Sequence, residues 1–103
     1  MTVIIPKWFQ VKDGAEWYKV ISKRHTQRSA TMGWIDFQAK VVTIATHDNV
    51  VDKKYSNADR TYAFWHEVTH AILSDMGNKL NHDEKFVTEF SRRLAAVVNS
   101  AVL

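Results

Sequence analysis

The sequence predicts an α+β domain in which a small antiparallel or mixed sheet, including a β-hairpin, packs on a motif-bearing helix and a C-terminal helix. Three observations predict it. Two runs rich in β-branched and aromatic residues, Met32–Phe37 and Lys40–Thr46, stand either side of Gln38-Ala39 and read as a hairpin. From Arg60 apolar residues recur at helical spacing, and this helix carries His66-Glu67-Val68-Thr69-His70. Beyond Gly77-Asn78 a second amphipathic pattern follows. At 103 residues the expectation is one domain, residues 1–103, with one core.

Taken in order, Val3-Ile4-Ile5 is a β-branched run stopped by Pro6, and Trp8-Phe9-Gln10-Val11 reads as extended. Asp13-Gly14 reads as a helix cap, because an Asp carboxylate accepts an orphan backbone N–H. Trp17, Val20, Ile21 and Arg24 then recur at helical spacing, so a helix is expected from Ala15 to Arg24 with Trp17 in the core. His25–Thr31 is polar and without period, a loop. The hairpin lacks the Asn-Gly signal that would fix its register. His47–Ser56 is a second loop, with Asp48-Asn49 as its turn.

Ser56, Asn57 and Asp59 are N-cap candidates for the motif helix. At 100° per residue, Tyr62, Trp65, Val68, Thr69, Ile72, Leu73 and Met76 form one broad apolar face. His66 and His70 lie together at its edge, with Glu67 just beyond. Gly77 ends the helix, since glycine tolerates the left-handed conformation of the capping residue. After the connection Lys79–His82, a last helix starts near Asn81 or Asp83. Phe86, Val87, Phe90, Leu94, Val97, Val98 and Ala101 make its apolar face.

Composition narrows the chemistry. Hydrophobic residues make up 46% of the chain and 12 residues are aromatic, which supports a packed core and argues against wholesale disorder. There is no cysteine, so any metal must be held by His and carboxylates. Met1–Pro6 has neither a basic start nor a long apolar run, and Leu94–Leu103 is too short to span a bilayer. A soluble cytoplasmic protein with no membrane partner is therefore expected. Residues 1–30 carry Lys7, Lys12, Lys19, Lys23, Arg24 and Arg28 against Asp13 and Glu16, a balance of +4. A basic stretch of this kind can touch nucleic acid or an acidic partner, though a solvated face is the blander explanation.

The pattern HExxH on a helix places two imidazoles on adjacent turns, where they can share one Zn²⁺. A catalytic zinc site has three protein ligands, so the third is sought on the following helix among His82, Asp83, Glu84 and Glu89. Glu84 lies about 60° from Val87 and about 80° from Leu94, at the border of the apolar face. Glu89 lies far from that face beside Arg92 and Arg93, where a solvated ion pair is expected. Asp83 suits the N-cap. Glu84 is favoured and His82 is the alternative. Glu67 is positioned to be the general base, taking a proton from the attacking water and passing it to the leaving amine. Tyr55, Tyr62, His47 and His82 are candidate donors to the oxyanion. A peptide substrate would add to an edge of the Met32–Thr46 hairpin, with Trp34 either a substrate contact or, more simply, a core residue.

His66-Glu67-Val68-Thr69-His70-Ala71-Ile72-Leu73, followed by Glu84-Lys85-Phe86-Val87-Thr88-Glu89-Phe90-Ser91-Arg92-Arg93-Leu94, resembles the ImmA/IrrE-type zinc metallopeptidases common in phages and mobile elements. Their pattern is HExxH and then, on the next helix, a metal-binding Glu opening E-x-x-A-N-x-F-A-x-x-L. Glu84, Phe90 and Leu94 match at the same spacing, while Val87-Thr88 replaces Ala-Asn and Ser91 replaces Ala. The resemblance spans roughly residues 32–98 and implies a minimal zincin-like domain. By the same match His66, His70 and Glu84 are the implied zinc ligands, and Glu67 is the implied catalytic base. The SprT-like metallopeptidases, whose third ligand is typically His, are the nearest rival and would favour His82.

Two classes of function follow. One is a zinc-dependent peptidase acting on a protein or peptide. The other is a non-catalytic zinc-containing or basic module that binds a host or phage protein, or nucleic acid. The carboxylate of Glu67 between the two His ligands favours the first, because a binding module has no use for it. Oligomeric state is not expressed in the pattern.

Overall fold

The computed structural model describes residues 5–25 and 32–102. Four strands, β1 (Trp8–Phe9), β2 (Tyr18–Lys23), β3 (Gly33–Asp36) and β4 (Val41–Ala45), form one sheet in the order β1-β2-β4-β3. Two helices follow, α1 (Asn57–Asp75) and α2 (Glu84–Ser100), joined through a 3-10 turn at Lys79–His82. The architecture is the expected small α+β domain with a mixed sheet. Most of the expected Val3–Ile5 run and of the expected loop up to Thr31 lies outside the described residues.

The hairpin forms as expected. β3 and β4 pair antiparallel, with Trp34 opposite Thr43 and Asp36 opposite Val41. Its turn needs no Asn-Gly, because Asp36 supplies the cap. Asp36 Oδ1 accepts from the backbone N–H groups of Gln38 and Ala39 at 3.0 and 2.9 Å, an Asx-type turn. The Asp48 turn is built the same way, with Oδ1 accepting from Val50 and Val51.

The helix expected over Ala15–Arg24 is instead strand β2, which pairs parallel with β4 from Lys19↔Val41 to Lys23↔Ala45. The same segment also carries an alternation that starts at Tyr18. Tyr18 and Val20 are buried while Lys19 between them is exposed, and Val20 and Ile21 are β-branched. Asp13-Gly14 accordingly belongs to the connection between β1 and β2 and not to a helix start. Trp17 precedes the strand and is 56% exposed, so it is not a core residue.

β4 is an inner strand, between β2 and β3, and Val42, Ile44 and Ala45 are fully buried. Together with Tyr18, Val20 and Ile35 they meet Ala63, Phe64, Val68 and Ala71 of α1. Phe9 stacks on Tyr18 with centroids 5.0 Å apart and meets the edge of Phe64 at 5.8 Å. Phe64, absent from the expected apolar face, is the largest fully buried side chain, whereas Met76 is exposed. The reason is geometric: α1 has the sheet on one side and α2 on another, so burial wraps a wider arc than one stripe.

α2 buries Val87, Ser91 and Ala95, a narrow i, i+4, i+8 line facing α1. Much of its expected apolar face stays in solvent, including Phe90, Val97 and Val98. Small side chains at Ser91 and Ala95 allow the close approach of the two helices, and the larger residues flank it. Among the described residues, no helix is long and apolar enough to cross a membrane.

Candidate metal centre

Capping fixes where the motif helix starts and stops. Ser56 Oγ accepts the Asp59 N–H at 3.1 Å, so α1 begins one turn earlier than its strongest apolar pattern. At the far end Gly77 takes φ 64°, and Asn78 N–H donates to Leu73 C=O while Gly77 N–H donates to Ser74 C=O. This double bond pattern is a Schellman motif, and it reverses the chain. Asn78 caps the 3-10 turn, and Asp83 Oδ1 accepts the Phe86 N–H at 3.0 Å to start α2. Glu84 is thereby the first residue of α2 and turns back over α1.

The result is a cluster of His66, His70 and Glu84, each offering one donor atom, all within 4.8 Å of one another. The imidazoles are one helical turn apart with centroids at 5.1 Å. His66 Nε2 lies 3.2 Å from Glu84 Oε2, and His70 Nε2 lies 2.9 Å from Glu84 Oε1. The imidazoles are well enclosed, at 16% and 12% side-chain exposure, while the Glu84 carboxylate reaches in from solvent at 68%. These three residues can hold a metal ion. His82, the alternative third ligand, is absent from the cluster; it lines the cleft beside it and is exposed.

Both imidazoles are held from behind. His70 Nδ1 is 2.8 Å from Asn81 Oδ1, and the Tyr62 hydroxyl is 3.3 Å from His66 Nδ1. A carboxamide oxygen only accepts, so His70 Nδ1–H is the donor, and in the neutral imidazole the lone pair is then on Nε2. That lone pair faces a carboxylate oxygen. Two acceptors 2.9 Å apart repel unless a proton or a cation lies between them. Burial, opposed by Glu84, pushes the pKa of His66 below its ordinary value, which favours the neutral ligand form.

Glu67 lies on the sheet side of the cluster, with only 7% of its surface exposed. Burial pushes its pKa up to about 7; His70 opposes that rise and Glu84 adds to it. Gly33 of β3 lies directly against it, so that a Cβ there would sit 3.2 Å from Glu67 Oε2 and 3.3 Å from its Cγ. The glycine lets the edge strand come up to the carboxyl group.

These residues open into a cleft of about 480 Å³, walled by β3 on one side and by Asn81, His82 and Glu84 on the other. Trp34, expected more simply in the core, lines this cleft with Phe37. Of the four candidate oxyanion donors, His82 lines the cleft, and Tyr62 adjoins it through His66. His47 and Tyr55 do not line it; His47 Nδ1 is 2.7 Å from the Thr46 hydroxyl. Sequence reasoning missed Asn81 and Gly33. Asn81 sits eleven positions after His70 in a polar turn and carries no periodic signal. Gly33 read only as the start of a strand.

Searches among protein families, curated proteins and solved structures found no match to this chain.

Proposed function

We propose that this chain is a zinc-dependent peptidase, with His66, His70 and Glu84 as the metal ligands and Glu67 as the general base. The observation that carries the reading is the convergence of His66 Nε2, His70 Nε2 and the Glu84 carboxylate in a group of three donor side chains. The donor set fits zinc. With metal–ligand bonds of 2.0–2.2 Å, neighbouring donors of a tetrahedral site lie about 3.3 Å apart. The two His–Glu84 separations, 3.2 and 2.9 Å, are close to that edge. Two imidazoles and one carboxylate, with no thiolate, would supply three ligands to a zinc, the number hydrolytic sites use, and all three side chains line the cleft.

A bound Zn²⁺ supplies an electrophile and a water of lowered pKa. The remaining chemistry belongs to the chain. Glu67 is held against Gly33 at the cleft floor, where it takes the proton of the attacking water and returns it to the leaving amine. Burial raises the pKa of Glu67 in the metal-free chain; a cation at the cluster would lower it and favour the carboxylate that accepts the proton. Asn81 and Tyr62 keep the two imidazoles presenting Nε2 to the cluster. β3 is an edge strand beside the cleft, so an extended peptide adds to it through backbone hydrogen bonds. His82, on the opposite wall, is the side chain best placed to donate to the developing oxyanion. This arrangement agrees with the resemblance of the two helices to the ImmA/IrrE-type metallopeptidases.

The test is digestion of a proteome-derived peptide library by the zinc-loaded chain, read by mass spectrometry, with Glu67→Gln alongside. The expected result is a set of new peptide termini that Glu67→Gln does not produce although it retains the metal. Identical cleavage by both proteins removes Glu67 from its role. A folded, zinc-loaded parent that cuts nothing in the library or in a cell extract removes the peptidase reading.

A further inference from the structure

A second hollow, sharing no residue with the metal cleft, opens between β1, β2 and the first turn of α1 and holds about 450 Å³. That size lies within the range of small-ligand sites, about 300–1,000 Å³. Among the described residues its charged lining is wholly cationic: Lys7, Lys19 and Arg60 contribute, and no Asp or Glu does. Three cations around one concavity raise the local concentration of anions.

Arg60 shows unused capacity. Its Nη2 donates to Ser22 Oγ at 3.2 Å, while its Nε is buried and unpartnered. It is the only such buried side-chain nitrogen or oxygen among the described residues. A guanidinium carries five donors; with Nε enclosed and one Nη2–H on Ser22, the remaining Nη donors are left for an incoming anion. The hollow also has an aromatic wall. Trp8 is 53% exposed, and the Lys19 ammonium stands 5.8 Å from its ring centroid. Aromatic surface and cations are therefore presented as one patch, with Val20 as apolar floor.

We propose that this hollow binds single-stranded nucleic acid, with phosphates on Lys7, Lys19 and Arg60 and one base against Trp8. An acidic peptide would satisfy the same cations but would leave the exposed indole unused. A stacking platform set among cations is the arrangement by which single strands are held without sequence readout. This site is independent of the peptidase reading, since it uses neither the metal cluster nor Glu67.

The test is fluorescence anisotropy of the full chain with a labelled 12-nucleotide oligo(dT), an abasic strand of equal length, and a labelled oligoglutamate. Oligo(dT) is expected to bind best. Its affinity falls with salt at a log–log slope of about −2, from three phosphate contacts at about 0.7 each. Trp8→Ala, at an exposed position, should weaken oligo(dT) roughly tenfold and leave the abasic strand unchanged. The double variant Lys7→Gln/Lys19→Gln should lower the salt slope by more than one and weaken both strands. Equal binding of the abasic strand overturns the proposal, as does oligoglutamate binding as tight as oligo(dT). No oligo(dT) binding at 50 mM salt also overturns it.

Discussion

Replacing Glu67 by Gln should stabilise the metal-free protein, increasingly so as pH rises from about 4.5 through 7. The carboxyl is 7% exposed, and its pKa is raised by burial from an ordinary 4.5 to about 7. A raised folded-state pKa means that the folded protein prefers the protonated form. The associated stability is fully present below pH 4.5 and is lost as pH rises through 7. At about 1.36 kcal/mol per pH unit, the loss is roughly 3 kcal/mol by pH 8.5. In a domain of this size that corresponds to a melting temperature lower by on the order of 10 °C or more. Gln keeps the shape and cannot ionise, so it escapes the loss. His66 titrates in the opposite sense, its depressed pKa giving stability above its ordinary value that is lost as pH falls. That contribution is common to both proteins and cancels in the comparison. The assay is thermal unfolding by circular dichroism in a chelator, parent against Glu67→Gln, at pH 5 and pH 8.5. Curves within about 1 kcal/mol of each other at pH 5 and roughly 3 kcal/mol apart at pH 8.5, with Gln the more stable, are expected. An equal separation at both pH values would refute the argument, because it would trace the effect to packing and not to charge.

Three further outcomes follow from the same geometry. Asn81→Ala should lower zinc affinity about 10- to 100-fold with the fold retained, measured by chelator competition, since the imidazole of His70 loses its orienting acceptor. Gly33→Ala puts a Cβ 3.2 Å from Glu67 Oε2. It should cut the rate of peptide hydrolysis by roughly tenfold at unchanged metal content, because a misplacement of even 1 Å can cost about a hundredfold. His82→Ala should lower kcat by about a hundredfold while leaving zinc affinity unchanged, which separates oxyanion stabilisation from metal binding.

How much of this was legible in the sequence differs from element to element. The hairpin and both helices were readable because their signals are local: β-branched runs, 3.6-residue spacing, and the caps Ser56, Gly77 and Asp83. Strand β2 was not. Over so short a run, Trp17, Val20, Ile21 and Arg24 fit the helical period, while Tyr18 and Val20 either side of Lys19 fit the strand period. What decides between them is β4, a parallel partner some twenty residues further on, and no local pattern displays it. The burial of Phe64 in place of Met76 has the same origin, since it depends on which partners α1 meets. In the candidate site, the two histidines and Glu84 could be placed by helical angle alone. Helical angle preferred Glu84 to Glu89 and left His82 as the alternative, and the structure brings Glu84 into the cluster. Asn81 and Gly33 act through the chain reversal after α1 and the approach of an edge strand. Both are products of tertiary packing and leave no trace in spacing.

The central claim is a three-donor zinc site in which Glu84 is the third ligand. Calorimetric titration of Zn²⁺ into the chelator-stripped chain, with Glu84→Ala and His82→Ala in parallel, addresses it most directly. The account predicts about one zinc per chain. It also predicts an affinity reduced at least a hundredfold in Glu84→Ala and retained in His82→Ala. A folded parent that takes up no zinc, or a Glu84→Ala variant that binds as tightly as the parent, would contradict it.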